Sequence, residues 1–155
     1  MGKGLTTGRY CRIEAHPESP ASGPVVIIGE GVEMNDSVHI AGSRRVEIGN
    51  NVLLASKIFI TDLNHGNYGD EGEHDHPETP PGKRSLSARP VVIEDNVWIG
   101  ESVSVLPGVT IGKGSIIGTM SVVTKSIPPY SIAVGIPAKV IKRFNFQSSR
   151  WERVE

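Results

Sequence analysis

VVIEDNVWIGESVSVLPGVTIGKGSIIGTMSVVTK, residues 91–125, places an aliphatic side chain at every sixth position: Ile93, Ile99, Val105, Ile111, Ile117 and Val123. The fourth residue after each is apolar or small as well: Val97, Val103, Val109, Ser115, Ser121 and, just beyond the stretch, Ile127. Six is not a multiple of 3.6, so no single helix face collects these residues. Six is even, so a strand would set them on one face, but Gly100, Gly112 and Gly118 break any continuous strand. Short strands joined by tight turns satisfy both facts. Three such hexads close one triangular coil of roughly 18 residues, and stacked coils rise by about 4.8 Å each, the strand spacing. The inward aliphatics of one coil then sit on those of the next, making a narrow core that needs few apolar residues.

Moving outward from this stretch, the same phase runs through Ile28, Met34 and Ile40, slips by two residues, and resumes at Ile48, Leu54 and Ile60. Val32, Val38, Val52 and Ile58 are the fourth-position companions. The reading is an all-β chain, a parallel β-helix over residues 25–136 interrupted by a long loop at 61–90, in a single domain spanning 1–155. A loop of that length is functional or flexible. Residues 1–24 are irregular and read as an imperfect first coil or a capping loop. The tail, residues 137–155, combines Lys139, Lys142, Arg143, Arg150 and Arg153 with Phe144, Phe146 and Trp151. It could cover the open end of the coil, pack on a neighbouring subunit or touch an anionic ligand.

Composition agrees. Only 37% of the 155 residues are hydrophobic and 5% aromatic. Val (17) and Ile (16) far outnumber Leu (6), which suits pleated strands and excludes a helical bundle. The formal net charge of −1 offers no basic footprint for nucleic acid. No apolar run approaches the roughly 20 residues of a membrane-spanning helix. Residues 1–16 contain no signal-like apolar run, and the single cysteine, Cys11, cannot form an internal disulfide. A cytoplasmic protein is expected.

The [LIV]-G-x-x-x-x hexads, together with IPPYSIAVGIPAKVIK at 127–142, resemble the hexapeptide-repeat acyltransferases, whose coils form a left-handed parallel β-helix. The resemblance runs from about Val25 to Lys142. It is strongest to the O-acetyltransferases of bacterial lipopolysaccharide and polysaccharide synthesis and to the maltose and galactoside acetyltransferases. It implies transfer of an acetyl group from acetyl-CoA to a sugar or glycan hydroxyl, and a homotrimer with active sites between subunits.

Chemistry concentrates in the loop, which holds His65, His74 and His76 with Asp62, Asp70, Glu71, Glu73, Asp75 and Glu78. His65 follows the coil position Ile60 closely and therefore stands beside rigid scaffold, the better place for a general base. The resemblance implies the same role, because Thr61-Asp62-Leu63-Asn64-His65-Gly66 matches the segment that carries the catalytic histidine, although many relatives have histidine where Leu63 stands. A sugar hydroxyl needs a base, and an imidazole of ordinary pKa, about 6.5, serves near neutrality. Its second nitrogen needs a holder, either a carboxylate such as Asp62 or a backbone carbonyl. The resemblance further implies that Asn35 contacts the acetyl group or acceptor; Asp62 is a candidate for the acceptor as well. For the coenzyme it implies Gly100 near the thioester, Thr119, Thr124 and Lys125 along the pantetheine arm, and Lys139 and Lys142 at the phosphates. Trp98 follows the inward Val97, points outward, and is expected to line the groove or a subunit boundary. His16 and His39 read as structural or solvated, and Lys83 and Arg84 as exposed loop charge.

Other readings remain at this level. An N-acetyltransferase acting on a nucleotide-linked amino sugar would use the same coil. A metal site could draw on His65, His74 and His76, but the five-residue histidine pair of the β-helical carbonic anhydrases is missing, so no metal is expected. A non-catalytic scaffold would show no dependence on His65.

Overall fold

Each hexad lays down a strand of two to four residues on one face of a triangular prism, and the next hexad turns the corner to the following face. The structure, a computed structural model, describes residues 1–17, 19, 23–69 and 72–154. The first face stacks Thr6–Thr7, Glu33–Met34, Leu53–Leu54, Trp98–Ile99, Ile116–Ile117 and Ser131–Gly135. The second stacks Arg12–Ala15, His39–Gly42, Phe59–Thr61, Ser104–Val105 and Val122–Val123. The third stacks Val26–Ile28, Val46–Ile48, Val91–Ile93 and Thr110–Ile111. Pairing along all three is parallel and in register, so Ile40 lies beside Ile60, and Ile60 beside Val105.

Every sixth-position aliphatic named above is buried, and so is every fourth-position companion, Ser115 and Ser121 included. Burying one Ile or Val contributes about 1.5–3 kcal/mol, so this single column is the main stabilising term. The two serines fall where the coil ends and backbone turns inward. Ser115 Oγ donates to the Pro128 carbonyl at 2.9 Å and accepts from the Ser131 amide at 3.1 Å. Ser121 Oγ accepts from the Gly135 amide at 3.0 Å. A buried hydroxyl so bonded replaces apolar volume without leaving an unsatisfied group.

The two-residue slip is a widened corner at Ser43, Arg44 and Arg45, and Asp62 fills it from the next coil. In the N-terminal segment, Thr6–Thr7 and Arg12–Ala15 pair parallel with the strands at Glu33 and His39. At the other end Ser131–Gly135 turns back antiparallel into Ala138–Asn145, which pairs with Arg150–Arg153. The tail thus extends the first face, its Phe144, Phe146 and Trp151 packing edge-on with Tyr130 in one aromatic cluster.

Candidate active site

The loop leaves the second face at Thr61 and returns at Arg89, whose amide donates to the Asp62 carbonyl at 2.8 Å. Its two limbs, Leu63–His65 and Leu86–Ala88, pair antiparallel with His65 opposite Leu86. This ribbon overhangs a cleft of about 580 Å³ against the second face, lined by His65, Asn64, Leu63 and Leu86 above and by Glu14, His16, His39, Ala41, Phe59, Thr61 and Leu106 below. His65 is exposed at its rim, and no group among the described residues bonds its imidazole. Gly66 turns the chain immediately afterwards at φ +118, which L side chains rarely adopt, and Tyr68 Oη reaches back to donate to the His65 carbonyl at 2.6 Å.

Asp62 corrects an expectation. It is 0% exposed, and its carboxylate accepts three backbone amides, from Ser43 at 2.8 Å, Arg44 at 2.8 Å and Arg45 at 2.6 Å. A carboxylate sealed into the widened corner neither holds the second nitrogen of His65 nor reaches an acceptor. It ties the root of the loop to the coil instead.

The rest of the loop is held by its own charges. Asp75 accepts from the Asn67 amide at 2.8 Å and the Ser85 hydroxyl at 2.7 Å. These bonds, the Ser85 hydroxyl's first, hold its carboxyl below the usual range. Arg84, expected from sequence to be exposed loop charge, spends its guanidinium on the Thr79 and Pro77 carbonyls and on Tyr68 Oη at 2.6 Å. His74 Nε2 contacts the Gly69 carbonyl at 2.7 Å, and His76 Nδ1 accepts from the Glu78 amide at 3.3 Å. Among the described residues no cluster of His, Cys, Asp and Glu is arranged to hold a metal. Asp70 and Glu71 lie outside the described residues.

The remaining candidates fall on two corners. In the register Met34–Leu54–Ile99–Ile117–Ala133, the following residues stack as Asn35, Ala55, Gly100, Gly118 and Val134, a corner whose middle three side chains are small. Asn35 stands at one end, and nothing among the described residues bonds its carboxamide. Lys139 pairs with Val134 at the other end, and Lys142 with Ile132. A Cβ on Gly100 would meet the Thr119 amide nitrogen at 2.7 Å, so glycine alone permits the coils to approach here. Thr119 follows Gly118 and is exposed; Trp98, 49% exposed, stands on the adjoining first face between Leu53 and Ile116. Thr124 and Lys125 sit at the other corner, one coil from Leu106, on the side of the His65 cleft. One chain therefore does not bring Asn35 to His65: Asn35 lines a separate hollow with Thr6, Thr7 and Ser56.

A feature the sequence reading missed is the lower wall of the cleft. His39 Nε2 lies 2.8 Å from Glu14 Oε2, and its ring packs on Phe59 with centroids 5.2 Å apart. The His39 bond and then Arg12 hold the Glu14 carboxyl below its usual range. Taking Ile13 as an inward position would have aligned Arg12-Ile13-Glu14 with His39-Ile40-Ala41.

Known proteins share this architecture. The profile for bacterial transferase hexapeptide (six repeats) matches residues 90–125. A protein assigned to lipopolysaccharide biosynthesis as an O-acetyl transferase, WbbJ of Escherichia coli strain K12, is 41% identical over 153 residues, covering 99% of this chain and 76% of its own length. The chain belongs to the hexapeptide-repeat acetyltransferases. A maltose O-acetyltransferase from Clostridium difficile 630 matches in structure with TM-score 0.68 at 31% identity, over 94% of this chain and 69% of that one. A galactoside acetyltransferase in complex with coenzyme A matches with TM-score 0.66 at 29% identity, over 96% and 72% of the two chains. The coil of this acetyltransferase is the left-handed parallel β-helix of the family. Among the described residues, no helix is long and apolar enough to cross a membrane.

Proposed function

We propose that this acetyltransferase moves an acetyl group from acetyl-CoA to a sugar hydroxyl, in the cytoplasm and in the service of surface polysaccharide synthesis, with His65 as general base. The observation that carries the reading is an exposed, unengaged imidazole fixed on a two-stranded ribbon beside a cleft, in a chain similar over almost its whole length to an O-acetyl transferase. His65 takes the proton of the acceptor hydroxyl as its oxygen attacks the thioester carbonyl carbon. Collapse of the tetrahedral intermediate breaks the carbon–sulfur bond, and the imidazolium returns the proton to the departing thiolate. Negative charge on the former carbonyl oxygen needs a donor. The Gly100 amide is engaged with the Ile117 carbonyl at 2.8 Å, whereas the Asn35 carboxamide is free among the described residues.

The coenzyme suits the corner of small residues. From Asn35 past Ala55 and Gly100 to Gly118 the corner rises by about 4.8 Å per coil, long enough for an extended pantetheine arm beside Trp98 and Thr119. Lys139 and Lys142 beyond it suit its phosphates. Since Asn35 and His65 occupy different hollows of one chain, a complete site requires a neighbouring subunit, which fits a homotrimer. Thr124 and Lys125 would then face the coenzyme from the His65 side.

The test is thiol release from acetyl-CoA with a panel of sugars and nucleotide sugars. Acceptor-dependent release is expected to fall by about 10²–10⁴-fold in His65→Ala, with unchanged melting because the imidazole bonds nothing among the described residues. Release that survives the substitution would defeat the assignment of the base.

A further inference from the structure

The lower wall of the His65 cleft has chemistry that acetyl transfer by itself does not use. Glu14 and His39 come from strands on adjacent coils and are only 23% and 33% exposed as side chains. A carboxylate can only accept, so His39 Nε2 carries the proton of the 2.8 Å bond. In the neutral ring Nδ1 is then left with a lone pair, and nothing among the described residues bonds it. The other Glu14 oxygen, Oε1, bonds Arg12, with His16 Nε2 3.9 Å away. The carboxylate's charge is thus offset by Arg12, leaving this wall near neutral and furnished with directional hydrogen-bonding groups. Around it stand Phe59, Ala41, Leu63, Leu86 and Leu106, all apolar.

A surface of this kind fits a ligand with one apolar face and hydroxyls at its edge. A sugar ring has that character: its axial C–H groups rest on aromatic or aliphatic carbon, and its hydroxyls need oriented acceptors. An anion would find no net positive charge on this near-neutral wall, and a purely apolar ligand would leave Nδ1 unpaired.

We propose that the Glu14–His39 pair, with Phe59 beside it, is the acceptor subsite of this enzyme, binding an uncharged pyranose through a hydroxyl next to the one that His65 deprotonates. The proposal rests on the acetyl-transfer reading and names the class of acceptor within it. Glu14 acts through His39 by fixing its tautomer and angle; His39 touches the sugar.

The experiment measures thiol release from acetyl-CoA with methyl hexopyranosides and their monodeoxy forms, for wild type, Glu14→Gln and His39→Gln. Each variant is first checked by thermal melting. The acceptor KM is expected to rise about tenfold in both variants, while the KM for acetyl-CoA stays within about twofold. One monodeoxy acceptor, disfavoured about tenfold by wild type, is expected to be no worse than its parent in His39→Gln, because the lost hydroxyl and the lost nitrogen are partners. Sugar-dependent release with an unchanged acceptor KM in both variants would overturn the subsite and leave the acetyl-transfer reading standing. A KM for acetyl-CoA that rises with the acceptor KM would overturn it too, by making the pair part of the coenzyme groove. Release from acetyl-CoA with no dependence on any sugar would overturn both. Should one variant fail to fold, the other, together with Phe59→Leu, decides the same question.

Discussion

Asp62 ties three amides to one buried carboxylate, and its removal should be felt far more in stability than its small size suggests. Asp62→Ala orphans the Ser43, Arg44 and Arg45 donors, the first of these bonds buried and the other two partly so. Each orphaned donor costs about 1–3 kcal/mol, and with partial relaxation the total is expected near 3–5 kcal/mol. Asp62→Asn keeps one accepting oxygen and should lose less. The check is the urea midpoint at fixed protein concentration with an unchanged slope; a loss below about 1 kcal/mol in the alanine variant would show the corner closing without the carboxylate. This residue also marks where the sequence is ambiguous. A carboxylate three positions before a candidate base reads as its partner, and only the corner geometry reveals that both oxygens face backwards into the coil. The place of His65 beside the coil was legible because its neighbourhood is local: a coil position, then a short segment. Glu14 and His39 were not, because they meet through coil stacking, 25 residues apart in sequence, and the first coil is too degenerate to announce its phase.

At the scale of the element, the far end of the ribbon that carries His65 is fastened by side chains, and one of these titrates. Asp75 bonds the Asn67 amide and the Ser85 hydroxyl, which lowers its folded pKa beneath the ordinary value of about 3.9. A lowered carboxylate pKa contributes stability that is fully present above the unfolded value and lost as pH falls through the folded one. The loop should therefore stay closed from neutrality down to about pH 4 and loosen below it. Amide exchange at Asn67 and Ser85, expressed as protection factors, is the readout. Asp75→Asn should lower protection at all pH values and abolish the acid response; constant protection in wild type down to pH 3 would refute the assignment. The coil needs no such clasp. Its hexads were legible because one inward position per turn repeats without regard to long-range partners, and even the two-residue slip corresponds to a real widening of a corner. The loop interior has no period, so Arg84 and Asp75, which organise it, look in sequence like any exposed charges.

For the whole molecule, the separation of Asn35 from His65 has a consequence that a single chain cannot show. If each site takes His65 from one subunit and Asn35 from its neighbour, two inactive variants can repair one another. His65→Ala retains a good Asn35, and Asn35→Ala retains a good His65. In randomly mixed assemblies of that kind, a given site draws its histidine and its asparagine from different chains, so about one site in four regains both residues. Mixing the purified variants in equal amounts under conditions of subunit exchange is expected to restore roughly a quarter of wild-type activity. The exposed apolar surface around Trp98 and Leu53, 49% and 37% exposed, is the face such an assembly would cover. Trp98→Glu, which sets a charge in that face, should hinder assembly and prevent the repair without unfolding the coil, since the side chain points away from the core. Light scattering reports the first effect and the mixing assay the second. If mixing restores nothing while both variants exchange subunits, His65 and Asn35 do not meet across an interface, and the site must be completed within one chain by a movement of the ribbon.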